Sequence, residues 1–144
     1  MMDNSRFVGT WSLVSIEARG DDGTVTQPFG FDPVGLLIYD AAGHMAVQLA
    51  PRIRAPYAIP DMMQGSPTED HAAITTYSAY FGTYDVHADG TVVHHTVANL
   101  FPNTSGRDQV RHWRFDGDRL TLTADTFRLG GVLYTLALVW QRVG

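Results

Sequence analysis

Apolar and polar residues alternate with a period of two along most of this chain, the pattern of half-buried β-strands. Nine stretches carry it: Gly9–Ala18, Thr24–Phe29, Val34–Asp40, His44–Ala50, Tyr80–His87, Thr91–Ala98, Arg107–Phe115, Arg119–Thr126 and Val132–Arg142. Between them stand Arg19-Gly20-Asp21-Asp22-Gly23, Asp40-Ala41-Ala42-Gly43, Ala88-Asp89-Gly90 and Asp116-Gly117-Asp118. These glycine- and aspartate-rich turns suit tight hairpins. The expected architecture is all-β, a single domain over 1–144 in which eight to nine antiparallel strands close an up-and-down barrel.

One segment breaks the period. Ser66-Pro67-Thr68-Glu69 combines an N-cap serine, a proline at the first helical position and a glutamate three residues after the cap. With Ile74, Tyr77 and Phe81 following at helical spacing, it predicts one short helix at Pro67–Ala79. The proline-interrupted stretch Pro51–Gly65 before it cannot be a regular strand.

In a nine-strand meander, connections alternate between the two ends of the barrel. The short polar turns then fall at one end. The apolar connections fall at the other: Pro28–Pro33, Pro51–Ala79, Asn99–Gly106 with Phe101, and Thr126–Gly131 with Phe127 and Leu129. Such a gathering marks either a ligand mouth or a plug. Parity places it at the end where the strand of Trp11 begins.

Composition narrows the function classes. Hydrophobic residues make up 44% and charged residues 17%, which argues against disorder. Without cysteine there are no disulfides or thiolate metal sites. All ten basic residues are arginine, so no lysine can form a Schiff base. A net charge of −5, with scattered signs, disfavours nucleic acid. No apolar run is long enough to span a membrane and no signal pattern opens the chain, so a cytoplasmic location is expected. No motif calls for a cofactor, and the sequence leaves room for a homodimer.

Several stretches, in order and nearly end to end, resemble the bacterial and fungal lipocalin-like domain family of the calycin superfamily. They are Gly9-Thr10-Trp11-Ser12-Leu13-Val14-Ser15, Leu37 to Met45, Tyr80 to Val86, Gly90 to His95, and Gln109-Val110-Arg111 leading to Gly117 to Leu122. The resemblance implies a closed barrel around a cavity, without one shared reaction. It also implies that the Gly-x-Trp segment packs at the closed base, the reverse of the parity argument.

Candidate chemistry centres on a few side chains. On Arg107–Phe115, Arg111, Trp113 and Phe115 share one face, and two large aromatics mark that face as internal. Arg111 then enters the barrel, either as an anchor for a ligand anion or as a strut paired with Glu17, Asp85 or backbone carbonyls. His94, Tyr39 and Tyr84 are the candidate catalytic groups, each also readable as a satisfied core residue. Tyr57, Met62 and Phe101 join Arg111, Trp113 and Phe115 as candidate ligand contacts. Adjacent His94 and His95 point to opposite faces, no histidine pair has metal spacing, and no histidine stands out as a haem ligand. No nucleophile elbow and no phosphate-cradling glycine loop appears. The expected function is binding of a small apolar or amphipathic molecule inside the barrel. The alternative is a cofactor-independent cyclase, isomerase or dehydratase of secondary metabolism.

Overall fold

The computed structural model describes residues 3–144, apart from the side chains of residues 126 and 127. Its strands are β1 (Gly9–Gly20), β2 (Val25–Thr26), β3 (Pro33–Tyr39), β4 (His44–Pro51), β5 (Ser78–Val86), β6 (Thr91–Asn99), β7 (Asp108–Asp116), β8 (Arg119–Leu129) and β9 (Val132–Arg142). All pairings are antiparallel, and β1 pairs with β9, which closes an eight-stranded barrel. The two-residue β2 only extends the end of β1 and is exposed. The expected strand Thr24–Phe29 is therefore not a barrel strand. Pro28 and Gly30 leave too little alternating chain to pair along a full edge.

Losing that strand shifts every later connection to the opposite end. The turns 40–43, 87–90 and 117–118 lie at the end where β1 begins, with Gly43, Gly90 and Gly117 at positive φ (96°, 91° and 59°). The longer connections 21–32, 52–77 and 100–107 lie at the far end, as does the β8–β9 turn at Gly130-Gly131. The end expected from parity is thus reversed, and Trp11 sits at the closed base. Phe127, expected in a loop, falls within the backbone pairing of β8 (its side chain lies outside the described residues).

The base is sealed by chain that carried no strand pattern. Phe7 is buried and meets Tyr39, Trp113 and Phe115 edge-on at centroid distances of 5.6, 5.6 and 5.0 Å. The Trp11 indole N–H donates to the Phe7 carbonyl at 2.9 Å, and the Arg142 guanidinium covers the Trp11 ring at 4.3 Å. Edge-to-face rings add roughly 0.5–1.5 kcal/mol per pair beyond their buried area.

Two bulges adjust which residues face inward. Between Leu13 and Ser15 the register of β1 slips, so the buried set changes from Trp11 and Leu13 to Ile16 and Ala18. At Phe81/Gly82 the β5–β6 register slips again, and a Cβ at position 82 would overlap the His95 carbonyl oxygen. Only glycine permits that approach.

The helix α1 spans Pro67–Thr75, with the full capping box at Ser66 and Glu69. It ends four residues short of Ala79. The Thr75 and Thr76 hydroxyls bond back to the carbonyls of His71 and Ala72, and Ser78 already belongs to β5. Phe81, expected on the helical face, lies on the exposed outer side of β5. No residue of α1 is buried. The excursion holds itself together through Tyr57 to Asp70 (2.7 Å), the Ala58 amide to Glu69 (2.9 Å) and Arg54 to the Ala73 carbonyl (2.9 Å). It is tied to the barrel by Arg52–Asp32 (2.7 Å) and by the Tyr77 hydroxyl donating to Gln48. Amides of residues 52–66 should therefore exchange with solvent faster than strand amides, and gain protection when a ligand fills the barrel. Strand-like protection in the free protein would mark the segment as a permanent plug.

Candidate functional site

Between the base and the long connections lies a cavity of about 510 Å³. Its walls are mostly aliphatic, from Leu37, Val47, Leu49, Leu122, Leu136 and Leu138, and His71, Ile74 and Tyr77 close over it from the excursion. Among the described residues no aspartate or glutamate lines it, although the chain has 15 of them, whereas Arg111 and Arg128 both do.

β7 runs from the open end towards the base, and this sets the depth of each inward residue. Gln109 and Arg111 reach the cavity wall. Trp113 and Phe115 share their face but lie below the cavity, packed on Phe7. Arg111 donates to the Gln109 side-chain oxygen and to the Val110 carbonyl, each at 3.0 Å. Among the described residues it has no carboxylate partner. Glu17 pairs with Arg19 at 2.9 Å, and Asp85 is held by His95. Gln109 is itself fixed by a 3.1 Å bond to the Thr96 hydroxyl.

Beside Arg111 stands a polar chain running into the wall. His94 is 1% exposed, its Nε2 lies 2.6 Å from the Tyr39 hydroxyl, and its Nδ1 lies 2.7 Å from the Tyr80 hydroxyl. Burial depresses the His94 pKa to about 3, helped by the charge of Arg111, so the ring is neutral at ordinary pH. Burial likewise raises both tyrosine pKa values, with Arg111 opposing the rise at Tyr80.

The remaining candidates are placed elsewhere. Tyr39 is fully buried one layer nearer the base and reaches the cavity only through His94. Tyr84 stands at the base, donating to the Asp40 carbonyl at 2.8 Å, with burial pushing its pKa up to about 12. Tyr57 braces the excursion, and Met62, 80% exposed, lies outside the cavity. Phe101 lines it. Tyr80, Tyr77, Gln109 and Trp140 line it as well, though no sequence argument singled them out. For Tyr80 the signal was available, since it shares the inward parity of Tyr84 on one strand.

His95, on the outer face, behaves oppositely to His94. Asp108 and Asp85 each sit 2.7 Å from one of its ring nitrogens, and these bonds, Asp108 first, raise its pKa. A folded pKa above the unfolded one stabilises fully below the unfolded value and fades as pH rises through the folded value. The melting-temperature gap between wild type and His95→Gln should thus be largest below the ordinary histidine value of about 6.5 and shrink as pH rises above it. A gap independent of pH would contradict this assignment.

Among the described residues no histidine or carboxylate cluster could hold a metal ion, and no helix is long and apolar enough to cross a membrane. No curated protein matches the chain. A crystal structure of a lipocalin-like protein from Bacteroides uniformis ATCC 8492 aligns over 96% of this chain and 99% of its own, at 11% identity and a TM-score of 0.49. The family model described as lipocalin-like domain matches residues 8–143, every strand of the barrel included. The chain belongs to the lipocalin-like domain family.

Proposed function

We propose that this protein binds a small amphipathic molecule inside the barrel, with its apolar body against the aliphatic walls and an anionic end at Arg111. One observation carries the reading: among the described residues, the cavity has no lining carboxylate and holds a guanidinium whose protein partners are neutral. A charge in such surroundings is costly unless an anion joins it. Two of its five N–H groups are given to Gln109 and Val110, and further N–H groups remain to donate to a carboxylate. Calorimetric titration with decanoate and with decanol tests this. Decanoate should bind more tightly, and equal affinities would refute the anionic end.

A second reading is favoured by the Tyr80 hydroxyl beside Arg111, a pair able to polarise a carbonyl for a cofactor-independent cyclase, isomerase or dehydratase. It requires turnover. Small molecules carried through purification, identified by mass spectrometry and then incubated with wild type and His94→Gln, should be converted by the former only. Unaltered turnover in the variant would dismiss His94 from the chemistry.

A further inference from the structure

We infer that Tyr80 is a second anchor for the ligand's oxyanion, its O–H aimed into the cavity because Tyr39 and His94 fix the direction of the hydrogen-bond chain. The inference rests on the binding reading above and deepens it, since it specifies a carboxylate held at two points. A neutral imidazole has one N–H and one lone pair, so of Tyr39 and Tyr80 one must donate to His94 and the other must accept from it. The two wirings are not equivalent.

The Tyr39 hydroxyl is fully buried, and among the described residues its one hydrogen-bond partner is His94 Nε2. If Nε2 carried the proton, the Tyr39 O–H would be left in an apolar interior with no acceptor. Unmet buried donors are strongly disfavoured. Tyr39 therefore donates to Nε2, and the His94 proton sits on Nδ1 and is donated to the Tyr80 oxygen. The Tyr80 proton cannot then point back at His94. Tyr80 lines the cavity, and its own O–H has no protein acceptor among the described residues. Arg111 lines the same cavity and lies close to the Tyr80 hydroxyl, so a carboxylate there can accept from both. Tyr39 is a positioning residue that meets no ligand.

Two measurements test the wiring. Long-range proton–nitrogen NMR of the wild-type protein at neutral pH should show His94 protonated at Nδ1, with Nε2 of the unprotonated type. Tyr80→Phe, which keeps the ring in the wall, should lower decanoate affinity about tenfold or more, as expected for loss of one hydrogen bond to a charged group, and lower decanol affinity far less. A proton on Nε2, or full decanoate affinity in Tyr80→Phe, would overturn this inference while the wild-type preference for decanoate kept the binding reading intact. Absence of that preference in the wild type would overturn both.

Discussion

Replacing Arg111 with methionine is expected to weaken decanoate binding about ten- to a hundredfold, the equivalent of about 1.5–3 kcal/mol for charged hydrogen bonds, and to weaken decanol binding far less. Methionine keeps the unbranched stem and removes the guanidinium. The melting temperature should hold or rise slightly, because the side chain makes no ion pair among the described residues and its charge is partly withdrawn from water. Calorimetry and thermal unfolding on one preparation separate the two roles. A fall in melting temperature with decanoate affinity intact would make Arg111 a structural strut.

Trp11→Ala should do the opposite, costing about 3–5 kcal/mol of stability without changing the affinity of the folded protein for decanoate. Trp11 is wholly buried at the base, donates to the Phe7 carbonyl and carries Arg142 on its ring, yet is not part of the cavity lining. Its removal leaves a void and an unmet carbonyl, and loosens the plug that Phe7 forms. Against a total of about 5–15 kcal/mol this is a large fraction, equivalent to roughly 10–20 °C in melting temperature. A loss of only a few degrees would show that the base is not sealed by this contact.

The barrel was legible because its period-two pattern and its glycine turns are local properties of the chain. Eight of the nine expected strands form the barrel, and the capping box at Ser66 marks the true start of α1. The reversal of the barrel's ends has one cause. Thr24–Phe29 carried enough alternation to be counted as a strand, and one miscounted strand inverted the two ends of the barrel. The family resemblance, through Gly-x-Trp, had the ends the right way round. Along β7 the period gave the facing of Arg111, Trp113 and Phe115, but period alone cannot give depth. That Trp113 and Phe115 lie below the cavity follows from Phe7, a plug residue outside any pattern. The link from Tyr39 through His94 to Tyr80 was half visible. Two of its members stood out as polar residues on inward faces, but their pairing depends on a cross-barrel approach that no spacing encodes.

Where an amphipathic anion goes tests the role of Arg111 most directly. Protein labelled with nitrogen-15, arginine side chains included, should be titrated with decanoate and followed by NMR. The account predicts that the Arg111 Nε–H resonance moves most, together with amides of Gln109, Tyr80 and other residues that line the cavity. The outer face of β5 to β7, which exposes Phe81, Val97 and Val110, should stay still. Shifts concentrated on that outer face, with Arg111 unmoved at saturation, would contradict it.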